Sequence, residues 1–273
     1  VCPADNSMVI GSCREASEEE IDRALEHAER AQPDWDALGG AARADILERA
    51  ANVMEADMDR LIGLISLEAG RTLYDGVAEV REAVDFLRYY ALQARRRFGT
   101  PQRVNSPADG VNERSLHGRG VFVCISPWNF PLAIFIGQVA AALAAGNSVI
   151  AKPAEQTPLV AAEGIDILHT AGVPGEVLNF VPGRGSVLGP IIIRDTRVSG
   201  VAFTGSTLTA QGIHKTLTGR HYRDGTPELP AFIAETGGQN AMIVDSSSLP
   251  EQVVDDAIHS AFLSAGQRCS ALR

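Results

Sequence analysis

The first hundred residues carry their apolar side chains at spacings of three and four, the pattern of helices with one buried face. Ser17, followed three positions later by Glu20, matches a capping box that opens a helix over 18–31. Ile46, Leu47, Ala50, Val53, Met54, Leu61 and Leu64 predict one long helix over 41–69, closed by Gly70. Val80, Val84, Leu87 and Ala91 mark one face of a further helix over 76–98. The texture then changes. Two polar, strand-capable runs within 100–118 flank Asp109-Gly110, a dipeptide suited to a tight hairpin turn. A two-stranded hairpin standing alone is marginal, so this arm is expected to pack on something, another subunit included.

From Gly120 short apolar runs alternate with amphipathic stretches. Strands are expected at 121–126, 148–152, 177–181 and 198–203. Helices are expected at 132–145 and 157–171, in a turn after Gly185, and from Thr207. Apolar strands separated by helices imply a parallel sheet covered on both faces. Ligands of such sheets gather beyond the carboxyl ends of the strands, where Pro127, Lys152, Gly183 and Gly205 fall. The polar stretch 221–230 reads as a linker, followed by strands at 231–235 and 241–244 and a helix over 250–265.

Composition narrows the function classes. With 273 residues, 45% of them hydrophobic, the chain can bury a substantial core and is not disordered. A formal net charge of −10 excludes a general attraction to nucleic acid or to anionic lipid. Cys2, Cys13, Cys124 and Cys269 are too scattered for a disulfide framework or a zinc site, which points to a reducing, cytoplasmic compartment. The stretch 120–151 carries no charge, but Pro127, Asn129 and Pro131 interrupt it. The apolar piece that remains, 132–145, is shorter than the roughly 20 residues of a membrane helix.

Candidate chemistry gathers in the second half. Gly183-Arg184-Gly185-Ser186-Val187-Leu188-Gly189 departs from G-x-G-x-x-G by placing its third glycine one position late. It reads either as a loose dinucleotide fingerprint or as a turn that needs glycine. Gly205 allows close approach of a ligand, and Ser206 can cap a helix or hold phosphate. Lys152 and Glu155 can bond the hydroxyls of a ribose, or stand as solvated charges. Cys269, with Gly266 before it and Arg268 beside it, is either an inert small hydrophobe or an activated thiolate. Glu235 ends a strand ahead of Thr236-Gly237-Gly238 and is a general base or the partner of an arginine. Asn129, between Trp128 and Phe130, can lend its amide to an oxyanion or shape a turn.

One chain carries, in order, Pro127-Trp128-Asn129-Phe130-Pro131, Lys152-Pro153-Ala154-Glu155, Phe203-Thr204-Gly205-Ser206, Glu235-Thr236-Gly237-Gly238 and Gly266-Gln267-Arg268-Cys269. This order resembles the NAD(P)-dependent aldehyde dehydrogenase superfamily, over nearly the whole chain. The finer wording of 117–126 and 233–242 is similar to the L-glutamate γ-semialdehyde (1-pyrroline-5-carboxylate) dehydrogenases, in particular those fused to a flavin-dependent proline dehydrogenase domain.

The resemblance implies an α/β fold in four parts. These are leading helices at 1–99, a hairpin arm for oligomerisation at 100–118, a Rossmann-like NAD-binding domain with a parallel sheet and flanking helices at 119–230, and the start of an α/β catalytic domain at 231–273. It implies NAD-dependent oxidation of L-glutamate γ-semialdehyde to L-glutamate in proline catabolism. Cys269 would be the nucleophile, Asn129 and the Cys269 N–H the oxyanion holders, and Glu235 the base for the hydrolytic water. Lys152 and Glu155 would hold the adenosine ribose and favour NAD over NADP. Ser126, Pro127, Trp128, Gly185, Gly189, Phe203, Thr204, Gly205, Ser206, Thr236 and Gly237 would be further cofactor contacts. Phe130, Arg268 and Ser270 would lie against the substrate, and no metal is implied. The expected partners are the small aldehyde, further copies of the chain through the arm, and a fused proline dehydrogenase domain outside these residues. Another semialdehyde substrate and a non-catalytic member of the fold stay open as alternatives. Family members continue past the nucleophile, so these 273 residues alone are expected to bind NAD weakly, to be poorly soluble and not to turn over.

Overall fold

The computed structural model describes residues 1–105, 110–221, 225–226 and 228–273. Four helices lead the chain. At the start of α1 (Glu18–Ala37) the Ser17 hydroxyl accepts from the Glu20 N–H at 3.3 Å, and the Glu20 carboxylate accepts from the Ser17 N–H at 2.9 Å, which is the expected capping box. The single helix expected over 41–69 is instead two, α2 (Gly39–Ala56) and α3 (Met58–Ala69). They part at Asp57, whose φ of −101° and ψ of 19° leave the helical region. The bend lets Leu61, Ile62 and Ile65 bury where α3 meets α4 and α6 rather than continue along the face of α2. Gly70, at φ 65°, closes α3 in the left-handed conformation that glycine adopts without steric cost. Thr72 then caps α4 (Leu73–Phe98), accepting from the Asp75 N–H at 3.1 Å. The hairpin follows as two antiparallel strands, β1 (Gln102–Val104) and β2 (Asn112–Arg114), exposed along their whole length. Asp109, assigned to its turn, lies outside the described residues.

The remaining strands are β3 (Val121–Ile125), β4 (Ser148–Lys152), β5 (Leu178–Phe180), β6 (Val198–Thr204) and β7 (Ala231–Glu235). They form one wholly parallel sheet in the order β5-β4-β3-β6-β7. The connecting helices are α5 (Ala133–Ala144), α6 (Pro158–Thr170), α7 (Gly185–Arg194) and α8 (Thr207–Thr218). The chain builds outward from β3 to β5, then returns to the other side of β3. Strand order therefore reverses between β3 and β6, and a crevice opens there beyond the carboxyl ends. Side chains alternate across the sheet: Phe122, Cys124, Val149 and Ala151 join one core with α2, α4, α5 and α6. Val121, Val123, Ile150 and Val201 join a second core with α1, α7 and α8. This is the α/β architecture read from the sequence.

Two expectations fail. The run 241–244 forms no strand, and its Ile243 is almost fully exposed, because no described strand lies beside it to complete the ladder. The stretch 221–230 is more than a linker: Glu228 is buried in an ion pair with Arg220, whose guanidinium also donates to the Val198 carbonyl at 3.0 Å. Tyr222–Asp224 and Pro227 lie outside the described residues. Beyond β7, α9 (Pro250–Phe262) buries none of its residues and runs into a 3-10 turn, Leu263–Gly266. Among the described residues no helix is long and apolar enough to cross a membrane.

Helix α5 carries no charge and is buried along most of its length, so its terminal N–H and C=O groups have little access to water. The leading helices supply the partners. Glu79 of α4 accepts from the Leu132 and Ala133 N–H groups at 2.8 and 3.3 Å. Trp35 donates to the Leu143 carbonyl at 3.0 Å, and Arg43 to the Ala144 carbonyl at 3.2 Å. Glu68 serves α6 likewise, accepting from Leu159 and Val160 at 2.8 Å each. Burial pushes the Glu79 carboxyl up to about 7, against the pull of the two backbone N–H groups and Arg71. An acid whose pKa rises on folding binds its proton more tightly in the native state. Its contribution to stability is present below its ordinary value of 4.5 and is lost as pH rises through about 7. Glu79→Gln keeps an acceptor for both N–H groups, so its melting temperature should fall less than that of the wild type between about pH 5 and about pH 8. Equal falls in the two proteins would show that Glu79 does not titrate in this range.

Candidate active site

The crevice at the strand reversal is a cleft of about 560 Å³. Ser126, Pro127, Trp128 and Asn129 reach it from the end of β3, and Lys152 and Glu155 from the end of β4. Phe203, Thr204, Gly205 and Ser206 come from the end of β6, Thr236 and Gly237 from the end of β7, and Gly185 from the start of α7. Arg268 and Cys269 line it as well, so fifteen of the residues singled out in the sequence line one concavity. Gly189 lines an adjoining groove of about 490 Å³ that shares Lys152, Gly185 and Phe203 with the cleft. Glu235, Phe130 and Ser270 are not among the lining residues. Glu235 is exposed, its backbone carbonyl accepting from the Gly205 N–H at 3.1 Å, and Phe130 lies under the Arg71 guanidinium at 4.6 Å.

The nucleotide side is built from helix starts. Ser206 accepts from the Thr209 N–H at 3.1 Å and caps α8, the structural half of its two sequence readings. A Cβ on Gly205 would lie 2.6 Å from the tip of the Phe203 ring, so a larger residue there would have to displace that ring. Glu155 accepts from the Gly185 N–H at 3.0 Å, which sets its carboxylate at the positive end of α7. Lys152 is buried, its ammonium donating to the Pro153 carbonyl at 2.7 Å, and burial holds its pKa below the usual lysine value despite nearby Glu155. Two donors, a desolvated ammonium and the helix N-termini, and one acceptor, a carboxylate, around one cleft suit a dinucleotide.

The thiol side is built from two segments tied together. Cys269 is exposed and unpaired in a disulfide. Its carbonyl accepts from Asn240 Nδ2 at 2.7 Å, and the same nitrogen reaches the Ala271 carbonyl at 3.1 Å. A Cβ on Gly238 would lie 2.4 Å from the Cys269 carbonyl oxygen, so the tandem glycine after Thr236 exists to let the two backbones touch. Asn129 Nδ2 donates to the Gln267 carbonyl at 2.8 Å, which leaves the second N–H of that amide unassigned. The Arg268 guanidinium is engaged with the Leu263, His259 and Ser260 carbonyls, at 3.1, 3.3 and 2.6 Å, closing the end of α9.

The sequence reads Gly238 as room for a ligand rather than for Cys269, and it assigns nothing to Asn240, Gln267 or Gln138, whose amide donates to the Thr204 hydroxyl at 2.8 Å. For Gly238 and Asn240 the signal was present, in a glycine pair and an amide within one motif. For Gln138 no local signal exists, because its partner Thr204 is far away in sequence.

A chain-length match to the aldehyde dehydrogenase family model, over residues 1–273, accounts for this arrangement, and the chain belongs to that family. It is 55% identical over 271 residues to the bifunctional protein PutA of Escherichia coli K12, covering 99% of this chain and 19% of that protein. It is 38% identical over 272 residues to the 1-pyrroline-5-carboxylate dehydrogenase of Bacillus cytotoxicus, covering 99% and 52%. A crystal structure of 1-pyrroline-5-carboxylate dehydrogenase from Thermus with bound NAD superposes with a TM-score of 0.93 at 35% identity, over all of this chain and 52% of that one. The chain thus spans about a fifth to about half the length of the relatives it matches.

Asn240→Ala removes the donor to two carbonyls, each bond contributing about 1 kcal/mol. The freed Cys269 segment should then react faster with iodoacetamide than in the wild type, while the exposed Cys13 reacts at an unchanged rate. Unchanged labelling of Cys269 would show that Asn240 does not hold it.

Proposed function

We propose that this chain carries the nucleophile and cofactor cleft of an NAD-dependent L-glutamate γ-semialdehyde dehydrogenase, which yields L-glutamate in proline catabolism. The strongest support is that Asn129 and Cys269 share one cleft with Lys152, Glu155 and the starts of α7 and α8. In this reading the Cys269 thiolate adds to the aldehyde carbon, and the negative charge that develops on the oxygen is met by the free Asn129 N–H and the Cys269 backbone N–H. The nicotinamide, when bound, supplies a two-electron hydride acceptor. Cys269 is left as a thioester. Glu235 takes a proton from water as the water attacks the thioester carbonyl, and cleavage of the C–S bond releases the carboxylate and restores the thiol.

Lys152 and Glu155 would hold the adenosine ribose, and the Glu155 charge would oppose a 2′-phosphate. Phe203 and the Thr204-Gly205-Ser206 turn would receive the pyrophosphate side. Similarity to relatives named bifunctional supports a fused proline-oxidising domain elsewhere in the protein, and the exposed β1–β2 hairpin suits contact with another copy.

In the full-length protein, Cys269→Ala should abolish both hydride transfer and turnover. Glu235→Gln should retain a single-turnover burst of NADH yet lose roughly 10²- to 10⁴-fold in steady-state rate. Normal turnover by Glu235→Gln would remove it from the mechanism. Glu155→Gln should narrow the preference for NAD over NADP, measured as the ratio of kcat/KM values; an unchanged ratio would overturn that assignment.

A further inference from the structure

One guanidinium joins the loop that bears Asn129 to the turn that leads into Cys269. Arg71, in the connection between α3 and α4, is nearly buried. Its Nη1 donates to the Asn129 carbonyl, and its Nη2 donates to the Ser264 hydroxyl at 3.2 Å. Two carboxylates of α4 lie within ion-pair distance, Glu79 at 3.4 Å from Nε and Asp75 at 3.8 Å from Nη2. The Arg71 Cζ stands over the Phe130 ring, 4.6 Å from the ring centre.

The partners explain why this matters. Ser264 and Ala265 both sit at φ 55°, and Gly266 follows at 68°, so the turn leading into Gln267 and Cys269 is left-handed for three residues. Non-glycine residues hold that conformation only when contacts impose it. Here Ser264 donates to Asp75 at 2.6 Å and accepts from Arg71. Gln267, just past the turn, accepts from the Asn129 amide. Arg71 therefore grips the backbone of Asn129 on one side and the turn before Cys269 on the other.

We propose that Arg71 is a positioning residue for the reaction, fixing the separation between the Asn129 amide and the Cys269 thiol. It would touch neither substrate nor cofactor. The inference rests on the reading of Asn129 as oxyanion donor and Cys269 as nucleophile. Its chemistry requires a planar fork: a lysine supplies the charge opposite Glu79 but cannot donate to Asn129 and Ser264 together with the same geometry.

The test uses the full-length enzyme with L-glutamate γ-semialdehyde and NAD, and the variants Arg71→Met, Arg71→Lys, Asn129→Ala and Arg71→Lys with Asn129→Ala. Both Arg71 variants should lose roughly 10- to 100-fold in kcat, the scale of a small misplacement of catalytic groups. KM for the aldehyde should stay within about threefold, because no binding contact is removed. In the double variant the losses should fail to multiply, since Arg71 acts through Asn129. Should Arg71→Met not fold, Arg71→Lys carries the same expectations. Near wild-type kcat in Arg71→Lys, a loss confined to KM, or losses that multiply with Asn129→Ala would overturn the proposal. Wild-type kcat in Asn129→Ala would overturn the reading of Asn129 itself, and this inference with it.

Discussion

A helix without a single charged side chain, buried in the middle of the molecule, must have its ends satisfied by something else. That requirement organises this chain. α5 starts directly after the Pro127–Pro131 turn, so whatever fixes its first N–H groups also fixes the loop that bears Asn129. Glu79 does so from α4, and Trp35 and Arg43 hold the opposite end. The leading helices are therefore part of the site's foundation. A carboxylate with little exposure to water is an expensive choice for a helix cap. Arg71 offsets part of that cost while reaching past it to the loop that bears Asn129.

The cleft follows from topology in the same manner. Parallel strands deliver all their carboxyl ends to one edge, and the reversal of order between β3 and β6 parts the helices there. Helix starts and strand ends meet in that gap, so short loops do much of the lining. This explains why so many of the residues that line it are glycine, serine or threonine.

How much of this was legible before the structure depends on the range of each signal. The Ser17–Glu20 box, the parallel strands and the Gly70 stop are written in neighbouring residues, and all formed as expected. The cleft residues from β3, β4 and β6 were legible because strand ends in a parallel sheet must converge. The bend at Asp57 was not, since apolar periodicity runs through it and only packing against α4 and α6 breaks the helix. The run 241–244 has strand-like composition without a neighbour to pair with, and composition cannot report a neighbour. Arg71 sits in a connection with no periodicity at all, and its partners Asn129 and Ser264 are far away in sequence.

The left-handed turn at Ser264 and Ala265 also sets a limit on how this chain can change. Each non-glycine residue in that conformation gives up roughly 1–2 kcal/mol against glycine or a relaxed backbone. A variant with glycine at position 264 would ease the backbone and at the same moment discard the hydroxyl that bonds Asp75 and Arg71. The same position is thus pulled one way by stability and the other by the shape of the cleft. Selection for a more robust protein and selection for a faster one would write different residues there.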